Sequence, residues 1–184
     1  ITDCLRITLI GKTGSGKSSS GNTILRTKAF IAKSSQYPVT RVCQKEFTSV
    51  DGRGVAVVDT PGLFDTNMSH DEVEVERLKC VSLLAPGPHV FLLVLQLGRF
   101  TQEERKTVEL IKKGFGEGVK RFIIFMFTHG DQLEEPIEKF IQKCEDTFKH
   151  LLSECGNGYH VFNNSNMEDR TQVKELLRKI SEMV

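Results

Sequence analysis

Residues Gly11 to Ser18 read GKTGSGKS, and they stand between an apolar run, LRITLI (Leu5 to Ile10), and a segment that can be helical, SSSGNTIL. This is the G-x-x-x-x-G-K-[ST] pattern in the setting that gives it meaning: a buried strand, a glycine-rich turn and a helix N-terminus. Gly11, Gly14 and Gly16 permit positive φ, so the backbone turns its N–H groups inward around an anion. Lys17 adds a mobile ammonium for β- and γ-phosphates, Ser18 a hydroxyl for Mg2+, and the helix dipole further positive potential. The predicted nucleotide contacts are Gly11, Lys12, Thr13, Gly14, Ser15, Gly16, Lys17, Ser18 and Ser19. The chain is expected to bind a nucleoside triphosphate.

Beyond the phosphate loop, strand and helix patterns alternate along the chain. The turn Asp51-Gly52 between Val42–Val50 and GVAVVD (Gly54 to Asp59) predicts a hairpin, which makes its first strand an antiparallel edge. VFLLVL (Val90 to Leu95) and FIIFMF (Phe122 to Phe127) have no polar alternation, as expected of strands buried on both faces of a parallel sheet. Tyr159 to Phe162 completes the strands. Thr101 and Glu104 form a capping box before a helix through Val108, Ile111 and Phe115. Apolar residues from Ile137 to Leu152 recur at helical spacing and predict one long helix ending near Gly156, and Val173 to Ile180 predict a last helix. The reading is a three-layer α/β fold on a mostly parallel sheet of about six strands with one antiparallel edge strand.

With 184 residues, 39% of them hydrophobic, one globular domain with a sizeable core is expected. A net charge of +1 gives no bulk electrostatic case for nucleic acid or an anionic membrane surface. The apolar runs are too short to span a bilayer, and no signal peptide opens the chain, so a cytoplasmic location is expected. A start at Ile1 rather than Met fits a domain excised from a longer protein. The five cysteines show no CxxC pairing and are expected to be reduced thiols.

A phosphate loop does not separate kinases, ATPases and GTPases. Asp59-Thr60-Pro61-Gly62 leaves a strand beside that loop, where Asp59 can hold Mg2+ through water and Gly62 can bring its N–H to a γ-phosphate. A plain Pro-Gly turn is the alternative. Thr40 is the expected third Mg2+ ligand, with Ser34 and Ser35 as alternatives. In Thr128-His129-Gly130-Asp131 the carboxylate of Asp131 can accept from N1–H and N2–H2 of guanine, which adenine does not offer, and His129 can stack on the purine. Taken alone the tetrapeptide reads equally as a surface loop. Asn163 and Asn164, after the last strand, are candidate contacts to the far edge of the base or turn residues.

In order, GKTGSGKS, Thr40, DTPGLFD, LLAPGPHVFLLVLQLGRFTQEE, THGD and FNN resemble the immunity-associated GTPases (GIMAP, or AIG-type), relatives of the septins and chloroplast import-receptor GTPases. Leu83 to Glu104 is the most specific stretch, similar to the box peculiar to that family. The resemblance implies a Ras-like GTPase domain over residues 1–184, GTP/GDP and Mg2+ as ligands, and a substituted base loop in which THGD is expected. The family's C-terminal helical extension has no counterpart in these residues, and any membrane attachment would come from other segments. Leu63 occupies the place where Ras-like enzymes carry a water-orienting glutamine, so intrinsic hydrolysis is expected to be slow. Arg99 resembles the arginine that a family partner inserts across a nucleotide-facing homodimer or heterodimer, whereas by sequence alone it reads as a solvated charge. Lys17, Thr40 and Arg99 are the expected catalytic residues. Two other readings are a GTP-dependent scaffold with incidental turnover and a small-molecule kinase, against which DTPG and Asp131 count; apolar Leu63, Phe64 and Met68 are expected to form a partner surface for switch and scaffold alike.

Overall fold

The computed structural model describes residues 4–11, 16–27, 44–60, 88–98, 102–156 and 158–184. Six strands form one sheet: β1 (Leu5–Gly11), β2 (Gln44–Val50), β3 (Arg53–Asp59), β4 (Val90–Gln96), β5 (Ile123–Thr128) and β6 (Tyr159–Val161). Their order is β2-β3-β1-β4-β5-β6, with β2 antiparallel to β3 and every other pair parallel. The hairpin closes at Val50 opposite Arg53 through Asp51 (φ 51°) and Gly52 (φ 81°). Two consecutive left-handed residues make a turn that matches strand twist, which is why Asp-Gly is a strong hairpin signal. β2 is accordingly the antiparallel edge.

The helices are α1 (Lys17–Leu25), α2 (Gln102–Phe115), α3 (Ile137–Gln142), α4 (Asp146–Glu154) and α5 (Thr171–Met183). Strand residues alternate between two buried clusters, one on each face of the sheet. On one face Leu5, Ile7, Leu9, Val55 and Val57 pack with Ile24 of α1 and with Val173, Leu176 and Ile180 of α5. On the other, Ile10, Val58, Phe91 and Phe125 pack with Val108 and Ile111 of α2 and Phe148 and Leu151 of α4. Phe148 meets Phe125 and Phe127 edge-on, both at 5.9 Å between ring centres, a geometry worth about 0.5–1.5 kcal/mol per pair beyond area burial. This gives three layers, helix, sheet and helix.

The long helix expected from Ile137 to Leu152 is two helices. Lys143 N–H reaches both Lys139 and Phe140 carbonyls and Cys144 N–H reaches Ile141, so the last turn of α3 tightens. Glu145 is then extended (φ −60°, ψ 148°), and its carbonyl accepts from Phe148 and Lys149 to restart the helix. The apolar periodicity survives because both halves face the same cluster. A six-residue 3-10 turn, Glu117–Phe122, follows Gly116 (φ 90°) and leads into β5. The capping-box residue Thr101 lies outside the described residues.

Cys4, Cys144 and Cys155 are free thiols, and burial pushes the Cys155 thiol up to about 11, which leaves it protonated and unreactive. Cys43 and Cys80 lie outside the described residues. Among the described residues no helix is long and apolar enough to cross a membrane.

Candidate functional site

Parallel strands β1, β3, β4 and β5 all point their C-terminal ends one way, so the turns that follow them gather at one rim of the sheet. β1 ends at Gly11, opposite Val94 of β4, and α1 begins with Lys17 after Gly16 at φ 98°. Only glycine takes that conformation without strain. Gly16 also lacks room for a side chain: a Cβ would lie 2.9 Å from Thr128 Cγ2. Its carbonyl accepts from Ser20 N–H at 2.8 Å, the first bond of α1.

Ser18 Oγ donates to Asp59 Oδ2 at 2.9 Å, and Lys17 Nζ lies 3.8 Å from Asp59 Oδ1. Lys17 and Asp59 are 7% and 5% exposed. Asp59 Oδ1 is buried and has no hydrogen-bond donor. A carboxylate oxygen left in that state costs about 1–3 kcal/mol unless a charge compensates it. Lys17 does so in part. The orphaned oxygen and the Ser18 hydroxyl are hard oxygen donors suited to Mg2+, which takes one or two protein oxygens and completes its shell with water and phosphate, while the nearby ammonium suits the phosphate rather than the metal. In keeping with so sparse a donor set, no group of three or more His, Cys, Asp or Glu residues forms a metal cage among the described residues. Thr60 Oγ1 donates to the Leu9 carbonyl at 2.7 Å, which anchors the exit of β3 against β1.

The second half of the site follows β5. Thr128 is buried; its hydroxyl donates to the Leu95 carbonyl at 3.4 Å and lies 3.0 Å from His129 Nδ1. His129 has φ 64°, which swings the chain into a short 3-10 turn, Gly130–Gln132, and leaves the Asp131 carboxylate exposed. Gly130 N–H donates to the Phe162 carbonyl at 3.0 Å, and a Cβ on Gly130 would lie 2.8 Å from Val161 Cγ1. The base loop is thus wedged between the phosphate loop at Gly16 and the end of β6.

Asn164 Oδ1 accepts from Thr23 Oγ1 at 2.8 Å, and its Nδ2 donates to Ser20 Oγ at 3.1 Å. Asn163 Oδ1 accepts from Ser165 N–H, an Asx turn, and Asn163 N–H donates to Gln172 Oε1 at 2.8 Å. Both amides therefore hold the loop after β6 in place, the turn role that the sequence left open. Arg170 donates to the Thr23 and Ile24 carbonyls and closes the C-terminus of α1. Gln172, whose amide also reaches the Asn163 and Asn166 carbonyls, carries no motif that would single it out. Arg170 is an anchor that the sequence likewise does not mark, and Thr60, though part of the DTPG motif, has an anchoring role that the motif does not state. Ser19 lies within α1, where its carbonyl accepts from Thr23 Oγ1. Lys12, Thr13, Gly14, Ser15, Thr40, Gly62, Leu63 and Arg99 lie outside the described residues.

Residues 5–184 match the AIG1 family. The chain belongs to the AIG1 family. Among curated relatives it is 39% identical over 184 residues to GTPase IMAP family member 8 of Homo sapiens, covering 98% of this chain and 28% of that protein. It is 35% identical over 183 residues to immune-associated nucleotide-binding protein 9 of Arabidopsis thaliana, covering 97% of this chain and 53% of that protein. This AIG1-family chain therefore spans from about a quarter to about half the length of those relatives. The fold is shared with Toc33 of Arabidopsis thaliana, solved with Mg2+ and GMPPNP, at TM-score 0.74 and 18% identity over 99% of this chain and 85% of that one. A dimerisation-deficient Toc33 mutant with an arginine replaced by alanine gives 0.68 and 20% over 88% and 71%.

Proposed function

We propose that this AIG1-family domain is a guanine-nucleotide switch: it binds GTP and GDP with Mg2+, hydrolyses GTP slowly alone, and associates through its nucleotide face in the GTP state. The observation that carries the reading is the convergence of Lys17 and Ser18 on buried Asp59 beneath Gly16. In this reading residues 11–19 wrap the phosphates with N–H groups and Lys17 neutralises the β- and γ-oxygens. Ser18, Asp59 and Thr40 hold Mg2+, which neutralises charge on the transferring phosphoryl group. Gly62 N–H approaches the γ-phosphate. Asp131 reads the guanine edge and His129 covers a face of the ring, with Asn163 and Asn164 supporting the far side through the loop they fix.

No glutamine stands at Leu63 to orient water, so transition-state charge on the γ-phosphoryl needs another donor. Arg99 of a second copy or of a relative is that donor. An arginine mutant of a fold-sharing protein being dimerisation-deficient supports this assignment. Specific activity is then expected to rise with protein concentration, and the GTP-loaded form to dimerise where the GDP form stays monomeric. Turnover per molecule that is flat across concentration would leave a GTP-dependent assembly scaffold. Tight binding of ATP in competition with labelled GTP would remove both.

A further inference from the structure

The sheet ends at β6, and its outer edge lies inside a walled cleft. Phe125 N–H donates to the Gly158 carbonyl and Phe162 N–H to that of Phe127. In a parallel ladder with Phe125 opposite Tyr159 and Phe127 opposite Val161, that pattern turns His160 toward β5 and sends the N–H and C=O of Tyr159 and Val161 outward. The Tyr159 carbonyl is taken by Lys179 Nζ at 3.0 Å. Val161 N–H and C=O have no hydrogen-bond partner among the described residues. A cleft of about 650 Å3 follows this edge, with Ile137 and Glu138 of α3 on one side and Glu175, Lys179, Glu182 and Met183 of α5 on the other.

Three carboxylates and one ammonium line the cleft. Glu182 is paired at its outer side with Arg178 at 2.7 Å, Glu138 accepts from the Tyr159 hydroxyl at 3.4 Å, and the Lys179 ammonium is committed to the Tyr159 carbonyl and to His160 Nδ1, 3.0 Å away, so the lining keeps an acidic excess. Lysine at a sheet edge is a usual device for blocking strand addition, and Lys179 reaches this edge from α5. Here it guards one carbonyl and leaves the Val161 pair open, between walls that are apolar at Ile137 and Met183 and acidic around them. We propose that this cleft takes an extended peptide carrying lysine or arginine as a seventh strand on β6. Its main chain pairs with Val161, in the manner of strand addition to a sheet edge. Alternate side chains of an extended strand point to opposite faces, so one set reaches Glu175 and Glu182 while the other packs on Ile137. The surface follows the outer edge of β6 and adjoins the base loop where Val161 packs beside Gly130.

The test uses the whole chain with bound GDP and fluorescein-labelled acetyl-Lys-Val-Lys-Val-Lys-Val-amide. Saturable anisotropy is expected, with binding at least about tenfold weaker for the Glu-for-Lys peptide and for the same peptide N-methylated at every residue, since strand addition depends on main-chain donors as well as charge. The variant E175Q/E182Q, on the exposed side of α5, is expected to lose about fivefold or more without changing GDP affinity. At saturation the Val161 amide is expected to exchange with solvent at least about tenfold more slowly. No saturable binding, equal binding of the N-methylated peptide, or an unprotected Val161 amide overturns the proposal. So does Val161 protection that grows with protein concentration without peptide, which would assign the edge to a second copy.

Discussion

The two halves of the candidate nucleotide site are built differently. At the phosphate end buried Lys17 and Asp59 meet the half-buried Ser18 hydroxyl, with Ser18 and Asp59 in direct contact and no room for a Cβ on Gly16. At the base end Asp131 is exposed on a three-residue turn whose position is set by neighbours: Thr128 behind it, Phe162 beneath it. The first half stores charge in a dry setting; the second presents a carboxylate to solvent on a fixed stub. Binding strength should therefore reside in the phosphate end and base choice in the other.

Lys17→Ala gives the largest expected effect. It removes the phosphate-directed ammonium and the cation facing Asp59, so GTP affinity should fall by roughly 100-fold or more, as for a lost charge-assisted contact to an anion. A titration showing less than tenfold would break the assignment of strength to that end. Asp131→Asn should cost GTP about 10- to 100-fold, the span of a hydrogen bond to a charged group, while XTP affinity rises because an amide can donate to a 2-oxo group. Unchanged GTP and XTP affinities would place base reading elsewhere.

Gly16→Ala joins the two halves in one test. A left-handed alanine costs about 1–2 kcal/mol before the contact with Thr128 Cγ2 is counted. Thermal unfolding should show that loss, and Thr128→Ser in the same chain, which removes Cγ2, should return part of it. No return would mean that the halves are not coupled through this contact. The smallest effect is expected from Asn164→Ala: about 1–2 kcal/mol of stability from two hydrogen bonds to α1, with GTP affinity nearly intact. A fall in GTP affinity without a fall in melting temperature would instead make Asn164 a direct contact to the base.

Much of this is legible in the sequence because the signals are local. Asp51-Gly52 names its own turn, the uninterrupted runs VFLLVL and FIIFMF name buried strands, and the spacing of Gly11, Lys17 and Ser18 names the phosphate loop. The break at Glu145 is not legible, since the apolar residues on either side keep helical phase while the backbone between them does not. Contacts between distant residues are equally hidden. That Thr128 packs against Gly16, or that Asn164 is fastened by two hydroxyls of α1, depends on which strand ends the topology brings together, and no periodicity encodes it.

Asn164 and Arg170 have a consequence for the order of events during synthesis. Within this domain the phosphate loop leaves the ribosome early, yet α1, which carries Lys17 and Ser18, is fastened along its flank by Asn164 and closed at its end by Arg170. Of the domain's elements only α5 is translated after those two residues. A nascent chain halted after β5 would hold every phosphate-binding residue while its helix still lacked both fastenings. The helix that carries Lys17 and Ser18 is therefore among the first elements of the domain to be made and among the last to be fastened.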